Sequence, residues 1–229
     1  MATWDASDVV ARVKLYAGLP TNTEEMADAD WYSLATEAER EWVGIMTQQY
    51  PNLMMGAPVL MSSEDSGKTY HLTSSATPLA IQVFDAPNGA LLRPGAYWDA
   101  DAGYVWEGVR IRMPKNATRT FADGPYARYV AQPTAALSAT GTMTLLPDYA
   151  RILVVYRTLA KWATIGGIRD PAVWDDRERK AWFGDGGADA GILGTLKMSN
   201  PFAGAAAYSY SENLTGLEYL RTVAGYTAI

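Results

Sequence analysis

Apolar residues in the first fifty positions recur every three to four residues, which is the spacing of amphipathic helices. Residues 5–18 (DASDVVARVKLYAG) predict a first helix, with Asp5 as its N-cap and Asp8 three residues later in a capping-box arrangement. Residues 27–51 predict a longer second helix that Pro51 ends. The predicted apolar faces comprise Val9, Val10, Val13 and Tyr16 in the first helix, and Trp31, Leu34, Ala35, Ala38, Trp42, Ile45 and Met46 in the second. The predicted polar face of the second helix comprises Glu37, Glu39, Arg40 and Glu41.

The pattern changes between about Gly56 and Thr144, where short runs of β-type residues alternate with Gly, Pro, Asn and Asp. Strands are predicted in residues 70–75, 79–85, 108–113, 127–132 and 141–146. Asn88-Gly89 is a strong signal for a hairpin turn. A second turn, rich in Asp and Gly, is expected to set Tyr97 and Trp98 against Tyr104 and Trp106. Strands at this spacing predict a small antiparallel sandwich or barrel.

Helical spacing returns at Pro147, a residue that suits the first turn of a helix because its missing N–H would have no partner there. The adjacent Asp148 favours the positive end of the helix dipole. The apolar stripe of this helix, which ends at Gly166-Gly167, comprises Ile152, Val155, Tyr156, Leu159, Trp162 and Ala163. A further helix is predicted from Pro171, with a continuation through residues 188–198.

These elements predict an α+β protein in four parts. Residues 1–56 and 147–199 form the two halves of an antiparallel helical bundle, since neither half can bury its apolar stripe alone. Residues 57–146, which we call the β module, form an antiparallel β-sandwich or barrel inserted between them. Residues 200–229, rich in Tyr, Ala and Gly, have no sustained helical period and predict an extended C-terminal arm.

Composition narrows the functional classes. The chain has 229 residues and 48% hydrophobic residues, enough to bury a core, and it contains no cysteine, which excludes disulfides, thiolate metal sites and a cysteine nucleophile. The net charge of −6 argues against nucleic-acid binding through the bulk field, although an acidic surface suits a path along which DNA slides. We expect no signal peptide and no membrane span, because no apolar run approaches the required ~20 residues.

The candidate catalytic and metal-binding residues are few. A Ser-His-Asp catalytic triad would need His71, the only histidine. We interpret His71 as a half-exposed strand residue. Asp185 and Asp189 lie in a Gly-rich string that weakly resembles a calcium-binding repeat, and the preferred interpretation is a loop. Asp99 and Asp101 are interpreted as turn residues. We therefore predict a protein that is not an enzyme, with no catalytic, cofactor or metal site.

Two sets of residues suggest binding instead. Four bases, Arg110, Arg112, Lys115 and Arg119, follow one another without an intervening acid, and the first two share a strand face. They can contact phosphate or an acidic neighbouring subunit, while the alternative is a solvated strand face. The second set is the aromatic group Tyr97, Trp98, Tyr104 and Trp106, which suits a sugar-binding platform, a protein interface or internal packing.

The order of elements resembles the head–tail adaptor (connector) proteins of tailed bacteriophages. That family shows a "Y…P..L" strand, a short spacer, "LP" and a long apolar helix. The matching residues of this chain are Tyr129, Pro133, Leu137, Leu146, Pro147, Tyr149 and Leu153. The likeness covers most of the chain as an arrangement and about forty residues as sequence.

The resemblance implies a structural virion protein of the neck, made in the host cytoplasm during assembly. Copies form a ring, commonly of twelve, between the portal protein and the next neck or tail protein, and genomic DNA passes through the lumen without sequence-specific binding. The arm docks on the portal. The expected contact residues are Phe202, Tyr208, Tyr210, Leu217, Tyr219 and Leu220 in the arm, and Arg110, Arg112, Lys115 and Arg119 in the β module.

Two alternatives remain open from the sequence. The first is another tail or neck completion protein of the virion. The second is a carbohydrate-binding or glycoside-acting protein that uses Trp98, Trp106 and the nearby aspartates.

Overall fold

The computed structural model describes residues 4–19, 26–65, 68–72, 77–87, 89–95, 103–113, 121, 124–141, 143, 146–166, 170–185 and 191–199. It is a mixed α+β structure, as predicted. The helices are α1 (Ala6–Tyr16), α2 (Asp28–Gln49), α3 (Pro51–Met54), α4 (Arg151–Gly166), α5 (Ala172–Phe183) and α6 (Gly191–Ser199). The strands are β1 (Val59–Leu60), β2 (Ser62–Ser63), β3 (Thr69–His71), β4 (Pro78–Phe84), β5 (Val105–Glu107), β6 (Arg110–Arg112) and β7 (Tyr126–Ala131).

Helices from the two ends of the chain pack against one another around α4, which contacts α1, α2 and α5. Aromatic pairs mark these contacts: the ring centroids of Trp31 on α2 and Trp162 on α4 lie 5.6 Å apart. Those of Trp42 on α2 and Trp182 on α5 lie 5.1 Å apart. Apolar side chains of the early and late helices therefore form one continuous core, which we call the helical core.

Two details of the predicted helical faces are wrong. Glu39, assigned to the polar face of α2, is buried. The stripe predicted for α4 is too narrow, because Leu153, Val154 and Thr158 are also fully buried while Ile152 is only half-buried. Neighbours on several sides of α4 explain its broad burial, since a one-sided stripe is expected only where a helix has one apolar neighbour.

The strands form two antiparallel sheets. One has the order β1-β7-β4 and the other has the order β2-β3-β6-β5. The chain passes from the first sheet to the second at Met61, between β1 and β2, where the Met61 N–H donates to the Pro125 carbonyl at 2.9 Å. A second apolar cluster includes Val83 and Ala127 from the first sheet and Tyr70 and Ile111 from the second. Side chains of both sheets therefore contribute to one apolar cluster.

Strand β7 joins the two cores. Ala127 belongs to the cluster between the sheets, whereas Val130 belongs to the helical core. The Asn52 amide oxygen, just after α2, accepts a hydrogen bond from Gln82 on β4 at 2.7 Å. These contacts place the β1-β7-β4 sheet at the end of the helical core formed by the C-terminus of α2 and by α3.

The strand predictions have mixed outcomes. Strands β3, β4, β6 and β7 lie within or beside predicted runs, but the run 141–146 is wrong in its described residues, Gly141, Met143 and Leu146, which are in no strand. The Asn88-Gly89 turn includes a residue outside the described part, while its flanks pair through a bridge between Phe84 and Leu91. The proposed partners Tyr97 and Trp98 also lie outside the described residues.

The segment between β7 and α4 is attached to α2 and to the start of α1. Arg40 donates to the Thr134 carbonyl at 3.2 Å, and the Leu137 N–H donates to the Thr36 hydroxyl at 2.8 Å. The Ala6 N–H donates to the Gly141 carbonyl at 3.2 Å. Pro147 then caps a single 3₁₀ turn, Asp148–Ala150, that leads directly into α4. The predicted start of the helix at Pro147 is therefore displaced by one 3₁₀ turn.

None of the helices in the described ranges combines the length and the apolar character that a membrane crossing requires.

Candidate interaction surfaces

The outward side of the β2-β3-β6-β5 sheet carries the two described residues of the predicted basic set. Ile111 of β6 points into the core between the sheets, so Arg110 and Arg112 on either side of it point outward. The cross-strand partners of these arginines are His71 and Glu107 for Arg110, and Thr69 and Val105 for Arg112. We call this the outer sheet face. Lys115 and Arg119 lie outside the described residues.

Carboxylates of the same sheet pair with both arginines. Arg110 Nε lies 3.0 Å from Glu64 Oε1, and Arg112 Nη2 lies 3.1 Å from Glu107 Oε2. His71 Nδ1 lies 3.5 Å from the same Glu64 oxygen. Because both arginine side chains are exposed, their ion pairs contribute little to stability. The outer sheet face therefore carries charges of both signs, and its two arginines are partly neutralised by neighbouring carboxylates.

Three acids of α2, Asp28, Glu37 and Glu41, are also paired within the subunit. Lys161 on α4 lies 2.7 Å from Glu41 and 3.5 Å from Glu37, and Lys14 on α1 is ion-paired with Asp28. These pairs partly neutralise the acidic surface that the suggested contact with the basic strands of a neighbouring copy would use.

A buried charged cluster lies where α2, α4 and α5 meet. Glu178 on α5 has a side chain only 5% exposed, and its Oε1 accepts hydrogen bonds from Trp42 Nε1 at 2.6 Å and from Arg157 Nε at 2.9 Å. Burial raises the pKa of Glu178 from 4.5 to about 7, against the opposing effects of Arg157 and Trp42. Burial also raises the pKa of Glu39, which Arg151 and Arg40 partly offset.

Sequence reasoning missed the role of Glu178. It lies in the charged run "DDRERK", which is typical of an exposed helix face. The available signal was its position midway between Trp174 and Trp182, which places it on the side of α5 that bears both tryptophans.

A second buried cation, Arg151, holds the start of α4. Its guanidinium donates to the carbonyls of Leu146, Met143 and Trp4, the first at 3.1 Å, and lies 2.7 Å from the Asp148 carboxylate. These bonds connect the N-terminal segment to the chain that leaves the β module.

The predicted aromatic platform is only partly described. Tyr104 is 2% exposed and belongs to the core between the sheets, so its ring is not available to a sugar. Trp106 is 42% exposed, and its indole N–H donates to the Gly108 carbonyl. Most of the described tryptophans lie in or against the helical core instead, which accounts for much of the aromatic excess.

Several exposed apolar side chains lie at the end of the helical core opposite the β module. The Lys14–Asp28 pair joins the end of α1 to the start of α2, and the Trp31–Trp162 pair joins the start of α2 to the end of α4. Leu15 and Ile165, at the ends of α1 and α4, are 70% and 69% exposed. Val173, at the start of α5, is also exposed. Exposed apolar side chains of this size suit contacts with other proteins when they are contiguous.

The remaining predicted site residues that follow lie outside the described part of the chain. The arm residues Phe202, Tyr208, Tyr210, Leu217, Tyr219 and Leu220 are in the C-terminal part that the structure does not describe, and so are the loop residues Asp99, Asp101 and Asp189. Within the described ranges, no three His, Asp or Glu side chains are grouped so as to hold a metal ion.

Comparison with known proteins gives no family: no family model matches the chain, and no curated protein matches it.

Proposed function

We propose that this chain is a structural protein of a tailed-phage virion, a head-to-tail adaptor that forms a ring between portal and tail through which DNA passes. The observation that carries the proposal is the order and packing of the elements: early and late helices share one core, with a β-rich segment inserted between them. This is the arrangement that the family resemblance implies. We also propose that the helices form an antiparallel bundle and that the inserted β segment forms a sandwich or barrel.

The segment that carries the resemblance supports the proposal further. Tyr129 lies on β7, Leu137 packs against the helical core, and Leu146 and Leu153 are buried on either side of Pro147. The Leu137 N–H donates to the Thr36 hydroxyl, and Arg151 donates to the Leu146 carbonyl, so the connection is attached to α2 and to α4. A connection that is bonded to two helices suits a subunit that links two layers of an assembly.

The proposed contacts with the portal and with neighbouring copies centre on residues 200–229. The arm has six large apolar or aromatic residues in the predicted set and few charges, which suits an interface more than a solvated tail. Arg110 and Arg112 are secondary members of the contact set, because carboxylates of the same subunit already neutralise part of their charge.

Truncation after residue 199 tests the proposal. We expect the shortened chain to keep its helical circular dichroism and its thermal transition, but to lose ring formation and portal binding, as measured by analytical ultracentrifugation and negative-stain electron microscopy. A full-length variant with Tyr208, Tyr210 and Tyr219 replaced by Ser is expected to lose assembly similarly, and it keeps the chain length constant.

Assembly that survives both changes would contradict the docking role of the arm. The Arg110→Gln, Arg112→Gln double variant serves as a comparison and is expected to weaken assembly less than truncation does. If immunoelectron microscopy places the protein in the tail and away from the neck of the particle, the result contradicts the adaptor proposal and favours the alternative of another tail completion protein.

A further inference from the structure

Helices α1, α4 and α5 together present an aromatic surface. The rings of Tyr16, at the end of α1, and Tyr156, on α4, are stacked, with centroids 6.1 Å apart and an interplanar angle of 16°. Arg177 of α5 acts electrostatically on Tyr156, and its guanidinium carbon lies 4.7 Å from the centroid of the Trp174 ring. Side-chain interactions therefore run from α1 across α4 to α5.

Part of this surface is exposed to solvent. Tyr16 is 37% exposed, and Tyr156 is half-buried. Val173, one turn before Arg177 on the same side of α5, is 50% exposed. Tyr, Trp and Arg are the residues most enriched where proteins bind one another. We call this surface the aromatic face, and its members are Tyr16, Tyr156, Val173, Trp174 and Arg177.

The aromatic face also carries an available positive charge. Arg177 is exposed, and within the described part of the chain its guanidinium is paired with no carboxylate. By contrast, its neighbours Arg179 and Lys180 are both paired with Asp176. A guanidinium that lies over a ring keeps its N–H groups available to a carboxylate. The aromatic face therefore suits an occupant that is both apolar and acidic.

The chain itself contains a segment of this composition. Residues 212–220 (ENLTGLEYL) combine three leucines and one tyrosine with two acids, Glu212 and Glu218, and include no base. The acids complement the charge of Arg177, and the leucines complement the exposed apolar part of the aromatic face. This segment includes three of the predicted contact residues, Leu217, Tyr219 and Leu220.

The segment is tethered within reach of the aromatic face. The backbone of Gly191, at the start of α6, lies against Trp182 and Phe183 at the end of α5, and α6 packs along α5. Helix α6 therefore runs back towards the start of α5, which belongs to the aromatic face. Residues 200–211 connect the end of α6 to Glu212. A tether of about a dozen residues gives an effective concentration of the order of 1 mM, so even a contact with a Kd of ~0.1 mM would be closed in about 90% of molecules.

We propose that residues 212–220 bind the aromatic face of their own subunit, with an acid of the segment paired with Arg177 and its leucines packed on Tyr16 and Tyr156. The contact is autoinhibitory, because it withholds Leu217, Tyr219 and Leu220 until a partner takes the segment. The binding is formed within one subunit and does not depend on a ring. Only its autoinhibitory role rests on the proposed function of the arm.

Cysteine crosslinking of the full chain tests the contact, and the chain suits this experiment because it contains no cysteine. In the double variant Val173→Cys, Thr215→Cys, a short bismaleimide should join the two positions within one chain, as measured by intact mass and peptide mapping at micromolar protein. The control is Leu91→Cys, Thr215→Cys, since Leu91 is a similarly exposed apolar residue of the β module. We expect the first variant to crosslink about tenfold faster than the control.

The charge of the aromatic face is tested in the same Val173→Cys, Thr215→Cys background. Arg177→Gln should slow the crosslink several-fold, because the acids of the segment lose their partner. Lys180→Gln is the matched control and should leave the rate unchanged, since Lys180 is already paired with Asp176 on the same helix. An unchanged rate in Arg177→Gln would contradict the assignment of an acidic occupant.

Two other outcomes would overturn the proposal. Equal crosslinking rates from Val173 and from Leu91 would show that the segment does not bind the aromatic face. In a mixture of isotopically labelled Val173→Cys chains with unlabelled Thr215→Cys chains, crosslinking as fast as in the double variant would assign the segment to a neighbouring copy. Ring formation by the wild-type chain is measured separately, so the failure of the intrasubunit contact and the failure of the proposed function are distinguishable.

Discussion

At the scale of single residues, Arg151 shows how one side chain can replace missing secondary structure. In its described part, the chain between β7 and α4 forms no strand pairing. Its buried carbonyls therefore need other hydrogen-bond partners. The planar guanidinium offers several donors in a fixed fork, which suits the three carbonyls of Trp4, Met143 and Leu146. A lysine has a single terminal nitrogen and could not satisfy all three in this geometry.

Arg151→Met is therefore expected to destabilise the protein by about 3–5 kcal/mol, because it leaves buried carbonyls and the Asp148 carboxylate without their donor. The measurement is urea unfolding at pH 7. Arg40→Met serves as the control, since Arg40 is exposed and the bond lost is a single one to the Thr134 carbonyl, and it should cost less than about 1 kcal/mol. Equal losses in the two variants would refute the special role of Arg151.

At the scale of elements, α2 serves as a support for the irregular segment that follows β7. Thr36 donates its hydroxyl to the Tyr32 carbonyl at 2.7 Å within α2, and the same oxygen accepts the Leu137 N–H. Threonine in a helix commonly bonds back to the preceding turn, which leaves its lone pairs available to a neighbouring chain. The hydroxyl thereby fixes the register of the segment along the helix.

Thr36→Val is expected to cost about 1–2 kcal/mol, because the isosteric side chain leaves the Leu137 N–H without its acceptor. Thr158→Val is the matched control: Thr158 is also buried and bonds back to the Val154 carbonyl, and among the described residues this bond stays within α4. Chemical denaturation of both variants measures the difference. The interpretation is wrong if Thr158→Val costs as much as Thr36→Val.

At the scale of the whole molecule, the shared strand β7 should make the two cores cooperative. Ala127 and Val130 lie three residues apart and belong to different apolar clusters, so unfolding of one core removes a wall of the other. In the sequence, the β segment also lies between the early helices and the late helices of the helical core. A single transition is therefore expected, as for a single cooperative domain.

The single histidine makes this expectation testable. His71 lies in the β2-β3-β6-β5 sheet, and most described tryptophans lie in the helical core. In a urea titration, the imidazole proton resonance of His71 and the total tryptophan fluorescence should therefore change at the same midpoint. Loss of the native His71 resonance at lower urea than the fluorescence change would show that the sheets unfold separately.

Much of the secondary structure was predictable because helix and strand periods are local properties of the chain. The capping pair Asp5 and Asp8 marks the start of α1, where the Asp8 carboxylate accepts the Asp5 N–H at 3.0 Å. Pairing of strands was less predictable: β5 pairs with β6 across Gly108, whose φ of 71° suits glycine, and this turn carries a weaker signal than Asn88-Gly89. Of the proposed contact residues, the structure describes Arg110 and Arg112. It shows that Glu64 and Glu107 pair with these arginines, which the sequence did not predict.

The sequence by itself determined the α+β class, the approximate limits of α1, α2, α4 and α5, and the apolar character of the segment after residue 199. The tertiary structure alone decided which charges are buried. Glu39 and Glu178 lie in runs that look exposed, and only the packing of α2, α4 and α5 removes them from water and sets the pKa of Glu178 near neutrality. The reason is that periodicity depends on neighbours along the chain, whereas desolvation depends on neighbours in space.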